Sequence, residues 1–91
     1  DMAEIKTEAK ISVAQAPRLE AQLKEVLEQT GEDIVVNMED TTYISSVGLR
    51  VFASVQKKVN AGGRSMALIN VKPQILEIFE VTGFVGVLTV E

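Results

Sequence analysis

The 91-residue sequence contains no cysteine and no histidine. Without cysteine, the chain has no disulfides, no thiolate metal ligands and no cysteine nucleophile. Without histidine, it also lacks the commonest general base and a common metal ligand. Most hydrolytic mechanisms therefore lose their central residue, so we expect a protein that is not an enzyme and that carries no cofactor or metal.

Positive charge is also scarce, with nine basic residues against thirteen acidic ones and a formal net charge of -4. The lysines and arginines are scattered instead of forming the basic stripe or arm typical of nucleic-acid binding, so direct nucleic-acid binding is disfavoured. No apolar run approaches the about 20 residues that a membrane helix needs, and the N-terminus lacks the pattern of a secretory signal. These observations predict a cytoplasmic protein without membrane insertion.

The length and composition are those of one small globular domain. Hydrophobic residues make up 46% of the chain and charged residues 24%, which is close to the average for folded proteins. A chain of this size builds one core and is too short to divide into several domains. We expect a single domain over residues 1–91.

The hydrophobic pattern of the first half predicts a strand, a helix and a second strand. Residues 3–11 alternate between apolar and charged side chains, which is typical of a strand with one solvated face. Pro17 can open an amphipathic helix, and Gly31 can end it. The β-branched run at residues 34–38 then favours a buried central strand.

The second half continues the alternation of helices and strands. A helix is predicted from Ser46 to the glycines at residues 62–63, followed by a buried strand at 64–71. Pro73 opens a third helix that Gly83 can cap, and residues 85–91 form a plausible final strand. The order β-α-β-α-β-α-β predicts an α/β fold in which helices cover a mixed, mostly parallel sheet.

The stretch "TTYISSVGLRVF", residues 41–52, places two serines between a strand and a helix. Either Ser45 or Ser46 can cap the helix, because a serine oxygen accepts the free N–H groups of a first turn. On a helical wheel, Ser46 lies on the outer side. Leu49 lies about 60° away and apart from the predicted core side, so it is a candidate exposed anchor for a partner, or a leucine covered by a neighbouring loop.

Catalytic alternatives at the serines have little support. The nucleophile elbow requires Gly-x-Ser-x-Gly, but Ile44 stands two residues before Ser46, and no histidine is present to act as the base. The P-loop pattern is also absent. Glu39 and Asp40 precede the serines and are possible metal ligands, but no third ligand is evident, and solvated carboxylates are the simpler interpretation.

The segment "MEDTTYISSVGLRVFASVQKKVNAGGRSMALINVKPQILEIFEVTGF", residues 38–84, resembles the STAS domain and, within it, the bacterial anti-sigma factor antagonists. In that family a polar turn and an aromatic residue precede a short Asp-Ser-Ser/Thr/Ala-Gly-Leu string that opens a helix. The corresponding string here is residues 45–49. The later Gly-Gly turn, apolar strand and Phe-x-x-x-Gly-Phe ending also match, at residues 62–63, 66–71 and 79–84.

The resemblance implies a single-domain STAS-like fold and a switch controlled by phosphorylation of Ser46. The unmodified protein would bind an anti-sigma factor that is also a serine kinase, and so release a sigma factor. Phosphorylation would end this binding, a serine phosphatase would restore it, and ATP would belong to the kinase. The predicted partner surface consists of Ser12, Thr42, Ser45, Ser46, Leu49 and Arg50.

The sequence departs from the family pattern at three places. Ser45 replaces the usual aspartate before the phosphorylated serine, and Ser12 replaces an acidic residue after the first strand. The segment before Ile11 is short, so we expect a missing or abbreviated edge strand. The alternative function is a non-catalytic STAS subunit of a membrane transport complex, such as a lipid-transport ABC system, which neighbouring permease and ATPase genes would favour.

Overall fold

The computed structural model describes residues 2–91, in which short strands alternate with three helices. Helices connect the neighbouring strands of the larger sheet, because parallel strands require a crossover connection. The elements are β1 (Met2–Lys6), β2 (Lys10–Ile11), α1 (Ala16–Gln29), β3 (Asp33–Asn37), β4 (Tyr43–Ile44), α2 (Ser46–Ala61), β5 (Met66–Ile69), α3 (Pro73–Val81) and a short 3₁₀ helix (Phe84–Gly86).

The strands form two separate parallel sheets. The larger sheet has the order β1-β3-β5, and Val35 at its centre lies opposite Glu4 on one side and Ala67 on the other. The smaller sheet pairs β2 with β4 and places Ile11 opposite Ile44. This smaller sheet lies directly before the start of α2, so it determines how the two serines are presented.

One hydrophobic core lies between the larger sheet and the helices. Alternate residues of β3 and β5 are buried in it, while the residues between them are only half-buried. Each helix contributes one apolar side to the same cluster, as expected for amphipathic helices packed on a sheet. Its fully buried large side chains include Leu23, Ile34, Val36, Phe52, Val55, Met66, Leu68, Ile75 and Phe79.

The predicted α/β fold with a mostly parallel sheet and packed helices is confirmed, as are the three helices and the strands near residues 34–38 and 64–71. Both prolines lie in the first turn of their helices. Gly83 follows α3 with a φ of 80°, the left-handed conformation that glycine adopts without strain. None of the helices in residues 2–91 is both long and apolar enough to cross a bilayer.

The prediction of one continuous strand over residues 3–11 is wrong, because the chain leaves the larger sheet after Lys6. The N–H of Thr7 still donates to Asn37 O at 3.0 Å, but the Thr7 hydroxyl is turned inward and lies 2.5 Å from that of Thr41. Both threonines are buried. The polar pair therefore lies at the point where pairing with β3 ends and the chain continues towards β4.

The predicted C-terminal strand at residues 85–91 is also wrong. A 3₁₀ helix occupies its beginning, and only an isolated parallel bridge between Leu68 and Val90 joins its end to β5. The buried side chain of Gln56 in α2 holds the C-terminal segment in place, since its Oε1 accepts a hydrogen bond from the N–H of Thr89 at 3.3 Å. Gly83, with its φ of 80°, allows the turn that precedes this 3₁₀ helix.

Candidate functional site

Ser45 is the residue that caps α2. Its backbone is extended (φ -84°, ψ 167°), and its Oγ accepts the N–H of Gly48 at 3.2 Å. This bond satisfies one of the N–H groups that have no partner within the first helical turn. Only 8% of Ser45 is exposed. The capping role, which the sequence left open between two serines, therefore belongs to Ser45.

Ser46 is the first residue of α2 and is exposed to solvent. The predicted outward orientation of this side chain is therefore confirmed. The positive end of a helix dipole lies at this terminus, where added negative charge is favourable. The two adjacent serines thus differ in accessibility, although their chemistry is the same.

Leu49 is buried, so the expectation of an exposed anchor is wrong. Only 3% of the residue is accessible, and it belongs to the same core cluster as Ile11 and Ile44 of the small sheet. The helical wheel assumed that only one side of α2 is covered. Tertiary packing buries a second side of its first turn as well, and the side chain of Leu49 is therefore not available as a surface contact.

Gly48 allows this close packing between α2 and the small sheet. A Cβ atom at this position would lie 2.8 Å from Cγ2 of Ile11 and 3.0 Å from Cγ1 of Ile44. Both distances are shorter than carbon atoms tolerate at van der Waals contact. The absence of a side chain at Gly48 therefore determines how near the start of α2 lies to β2 and β4.

Pairing of the small sheet brings Ser12 to the same edge as the two serines. The N–H of Ser45 donates to Ile11 O at 2.8 Å, and Ser12 follows Ile11 directly. Ser12 is half-buried, and its hydroxyl is hydrogen-bonded to Gln15 Oε1. Thr42 and Arg50 are exposed, as expected of a partner surface, and Thr42 Oγ1 donates to Ala9 O at 3.2 Å.

Two apolar side chains that were not predicted as site residues flank this edge. Val13 is 66% exposed directly after Ser12, and Tyr43 is 47% exposed directly after Thr42. Single exposed apolar residues are common on protein surfaces, so these two are site candidates because of their position beside Ser12 and Thr42. The signal in the sequence was only their position, directly after Ser12 and Thr42. We define the switch surface as Ser12, Val13, Thr42, Tyr43, Ser46 and Arg50.

A buried threonine positions the loop that leads to the switch surface. Thr41 is fully buried, and its Oγ1 donates to Glu8 O at 2.6 Å. Glu39 and Asp40 come earlier in the same loop, and their carboxylates lie 2.7 Å and 3.5 Å from Nζ of Lys6, the last residue of β1. The hydrogen bond to Glu39 and the charge of Asp40 raise the pKa of Lys6. These two carboxylates thus pair with a lysine at the surface.

The capping bond gives a prediction for stability. Replacing Ser45 by alanine should lower the free energy of unfolding by about 1 kcal/mol, because the first turn loses its acceptor. Urea denaturation followed by circular dichroism measures the change. Ser46→Ala is the matched control and should change stability by less than about 0.5 kcal/mol. Equal losses in the two variants would contradict the assignment of the cap.

Comparisons with known proteins agree with the fold and identify the family. Residues 2–91 match the STAS domain. The chain is also 31% identical over 80 residues to the anti-sigma-B factor antagonist of Staphylococcus aureus strain NCTC 8325, an alignment that covers 88% of this chain and 74% of that one. The chain therefore belongs to the STAS domain family and, within it, to the anti-sigma factor antagonists.

Solved structures show the same fold at low sequence identity. The anti-sigma factor antagonist SpoIIAA in its unphosphorylated form aligns with a TM-score of 0.83 and 15% identity, covering 100% of this chain and 80% of that one. The phosphorylated form of the Bacillus cell fate determinant SpoIIAA aligns with a TM-score of 0.75 and 15% identity, covering 99% and 82%. At these identities the likeness concerns the fold.

Proposed function

We propose that the protein is a cytoplasmic, non-catalytic regulator whose unphosphorylated form binds an anti-sigma factor and so releases a sigma factor. The anti-sigma factor is also the serine kinase that modifies it, and a serine phosphatase reverses the modification. Membership of the anti-sigma factor antagonist family supports the partner class. The single observation that carries the site is the exposure of Ser46 beside a buried, capping Ser45.

Accessibility favours Ser46 as the phosphate acceptor. A kinase must reach the hydroxyl oxygen of its substrate, and Ser46 is exposed at the start of α2. Phosphorylation of Ser45 would require breaking its hydrogen bond to the N–H of Gly48. It would also require exposing a residue that is only 8% accessible to solvent. This difference in accessibility supports Ser46 as the acceptor, although the residue before it is serine where the family usually has aspartate.

The proposed switch acts on the partner and leaves the fold intact. A phosphate adds about -1.5 to -2 charges and a bulky group to the switch surface. At the N-terminus of α2 this charge is compatible with the helix dipole. Tyr43 and Val13 provide apolar contact area for the anti-sigma factor, and Arg50 provides a cation one turn after Ser46. A partner seated on these groups would lose its fit and meet new negative charge.

The test uses a phosphate mimic and a matched control on the same helix. Ser46→Asp should weaken binding to the purified cognate anti-sigma factor by at least about tenfold, or about 1.4 kcal/mol, with little change in thermal unfolding. Ser54 is also exposed on α2, so Ser54→Asp should leave binding unchanged. Isothermal titration calorimetry measures both affinities. Equal affinities of Ser46→Asp and the unmodified protein would contradict the proposed switch.

Mass spectrometry after incubation with the kinase and ATP locates the modification directly. The phosphate should lie on Ser46, disappear in Ser46→Ala and persist in Ser45→Ala. A phosphate on another residue, or none, would overturn the assignment. Binding to a transporter ATPase in place of an anti-sigma factor would instead support the alternative role in a membrane transport complex.

A further inference from the structure

Within residues 2–91, no helix covers one face of the larger sheet. In β3, Ile34 and Val36 are buried in the core, whereas Val35, between them, points to the opposite face and is only half-buried. In β5, Ala67 and Ile69 are likewise half-buried between core residues. None of these three belongs to the core cluster or packs against it. The helices α1, α2 and α3 all bury their apolar sides in that one cluster, on the other face.

An uncovered face is unusual for a sheet of this kind. Both strand pairs, β1 with β3 and β3 with β5, are parallel. Parallel sheets occur almost only where both faces are covered, whereas antiparallel sheets commonly leave one face in water. The apolar residues on the second face therefore indicate a surface that is suited to bind a further helix.

The strand register gathers the exposed apolar groups into one strip. Val35 lies beside Ala67, and Ile69 is the next residue of β5 on the same face. Met2 of β1 adds a side chain that is 68% exposed. These residues line a shallow cavity of about 440 Å³. We define the open sheet face as Met2, Glu4, Asp33, Val35, Ala67, Ile69 and Glu91.

The charged groups around this strip are acidic. Glu4 lies directly opposite Val35, and Asp33 and Glu91 also line the cavity. By strand alternation Lys6 is on the same side of β1 as Glu4, but its ammonium is paired with Glu39 and Asp40. In the described part of the chain, all the charged residues that line the cavity are acidic, and none is a lysine or an arginine. An occupant must therefore combine apolar groups with positive charge.

The dimensions of the face suit one helix. Adjacent strands lie about 4.8 Å apart, so three strands span about 10 Å between the outer two. An α-helix with its side chains is about 10–12 Å in diameter. One amphipathic helix laid on Val35, Ala67 and Ile69 would cover the strip, and lysines or arginines beside its apolar stripe would reach the carboxylates of Glu4 and Glu91.

We propose that the open sheet face binds an amphipathic, basic helix of a partner protein. The acidic rim and the net charge of -4 disfavour a second copy of this chain and an anionic membrane as occupants, because like charges repel. The face is separated from α2 by the sheet and the core, so occupation does not depend on the state of Ser46. The inference therefore goes beyond the proposed function and does not rest on it.

Titration with a synthetic leucine-lysine amphipathic helical peptide tests the proposal. Amide chemical shifts of the full chain should change in β1, β3 and β5, and affinity should fall as salt is added. A leucine-glutamate peptide of the same pattern should not bind. The double variant Glu4→Lys, Glu91→Lys should weaken binding by at least about fivefold, since both exposed carboxylates are reversed. Thermal unfolding checks that the variant is folded.

Two controls separate this surface from general charge attraction. The double variant Glu25→Lys, Glu28→Lys makes the same charge change on exposed residues of α1. It should weaken peptide binding only as far as the change in net charge does, and clearly less than the variant of Glu4 and Glu91. Ser46→Asp should leave peptide binding unchanged. Equal weakening by both double variants, shifts confined to the helices, or dimerisation of the free protein through this face would overturn the proposal.

Discussion

Replacement of Leu49 by alanine is expected to lower the free energy of unfolding by about 2–5 kcal/mol. The side chain is 3% exposed and belongs to the core, so its removal leaves a cavity beside the first turn of α2. Urea denaturation measures the loss. Arg50→Ala changes the adjacent, exposed residue and should shift stability by less than about 0.5 kcal/mol.

The same variant distinguishes a core leucine from a partner anchor. A surface anchor replaced by alanine would leave the denaturation midpoint unchanged and weaken only partner binding. Leu49→Met preserves volume and should cost less than about 1.5 kcal/mol while binding stays normal. An unchanged midpoint for Leu49→Ala would show that Leu49 is not packed as described.

Replacement of Gly48 by valine is expected to cost about 2–3 kcal/mol, because even its Cβ has no room. That atom would lie 2.8 Å from Cγ2 of Ile11, so either the isoleucine or the start of α2 must move. The movement would also displace Ser46, so partner binding should weaken together with stability. Gly31 has open space around it, and Gly31→Val should be nearly neutral.

A double-mutant cycle identifies Ile11 as the obstacle. Ile11→Ala is itself destabilising because it removes a buried side chain. It also removes Cγ2, so Gly48→Val should cost less in that background, with a coupling of about 0.5–3 kcal/mol. Simple additivity of the two losses in urea denaturation would contradict the close approach of Gly48 to Ile11.

The sequence by itself determined the elements whose signals are local. The helical periodicity of α1, α2 and α3, the prolines in two of their first turns, and Gly83 at the end of α3 all act within a few residues. The exposure of Ser46 was predictable for the same reason, since it depends on the periodicity of its own helix. The resemblance to STAS domains then supplied the family.

Only the tertiary structure decided features that depend on residues distant in sequence. The strand over residues 3–11 divides at Thr7, where the hydroxyl group meets that of Thr41, thirty-four positions later. Leu49 is buried in a core cluster that also contains Ile11 and Ile44, residues from two strands that are distant in sequence. The uncovered face beside Val35 likewise results from all helices packing on one side of the sheet. Local periodicity shows which side of an element is apolar, whereas three-dimensional packing decides what covers it.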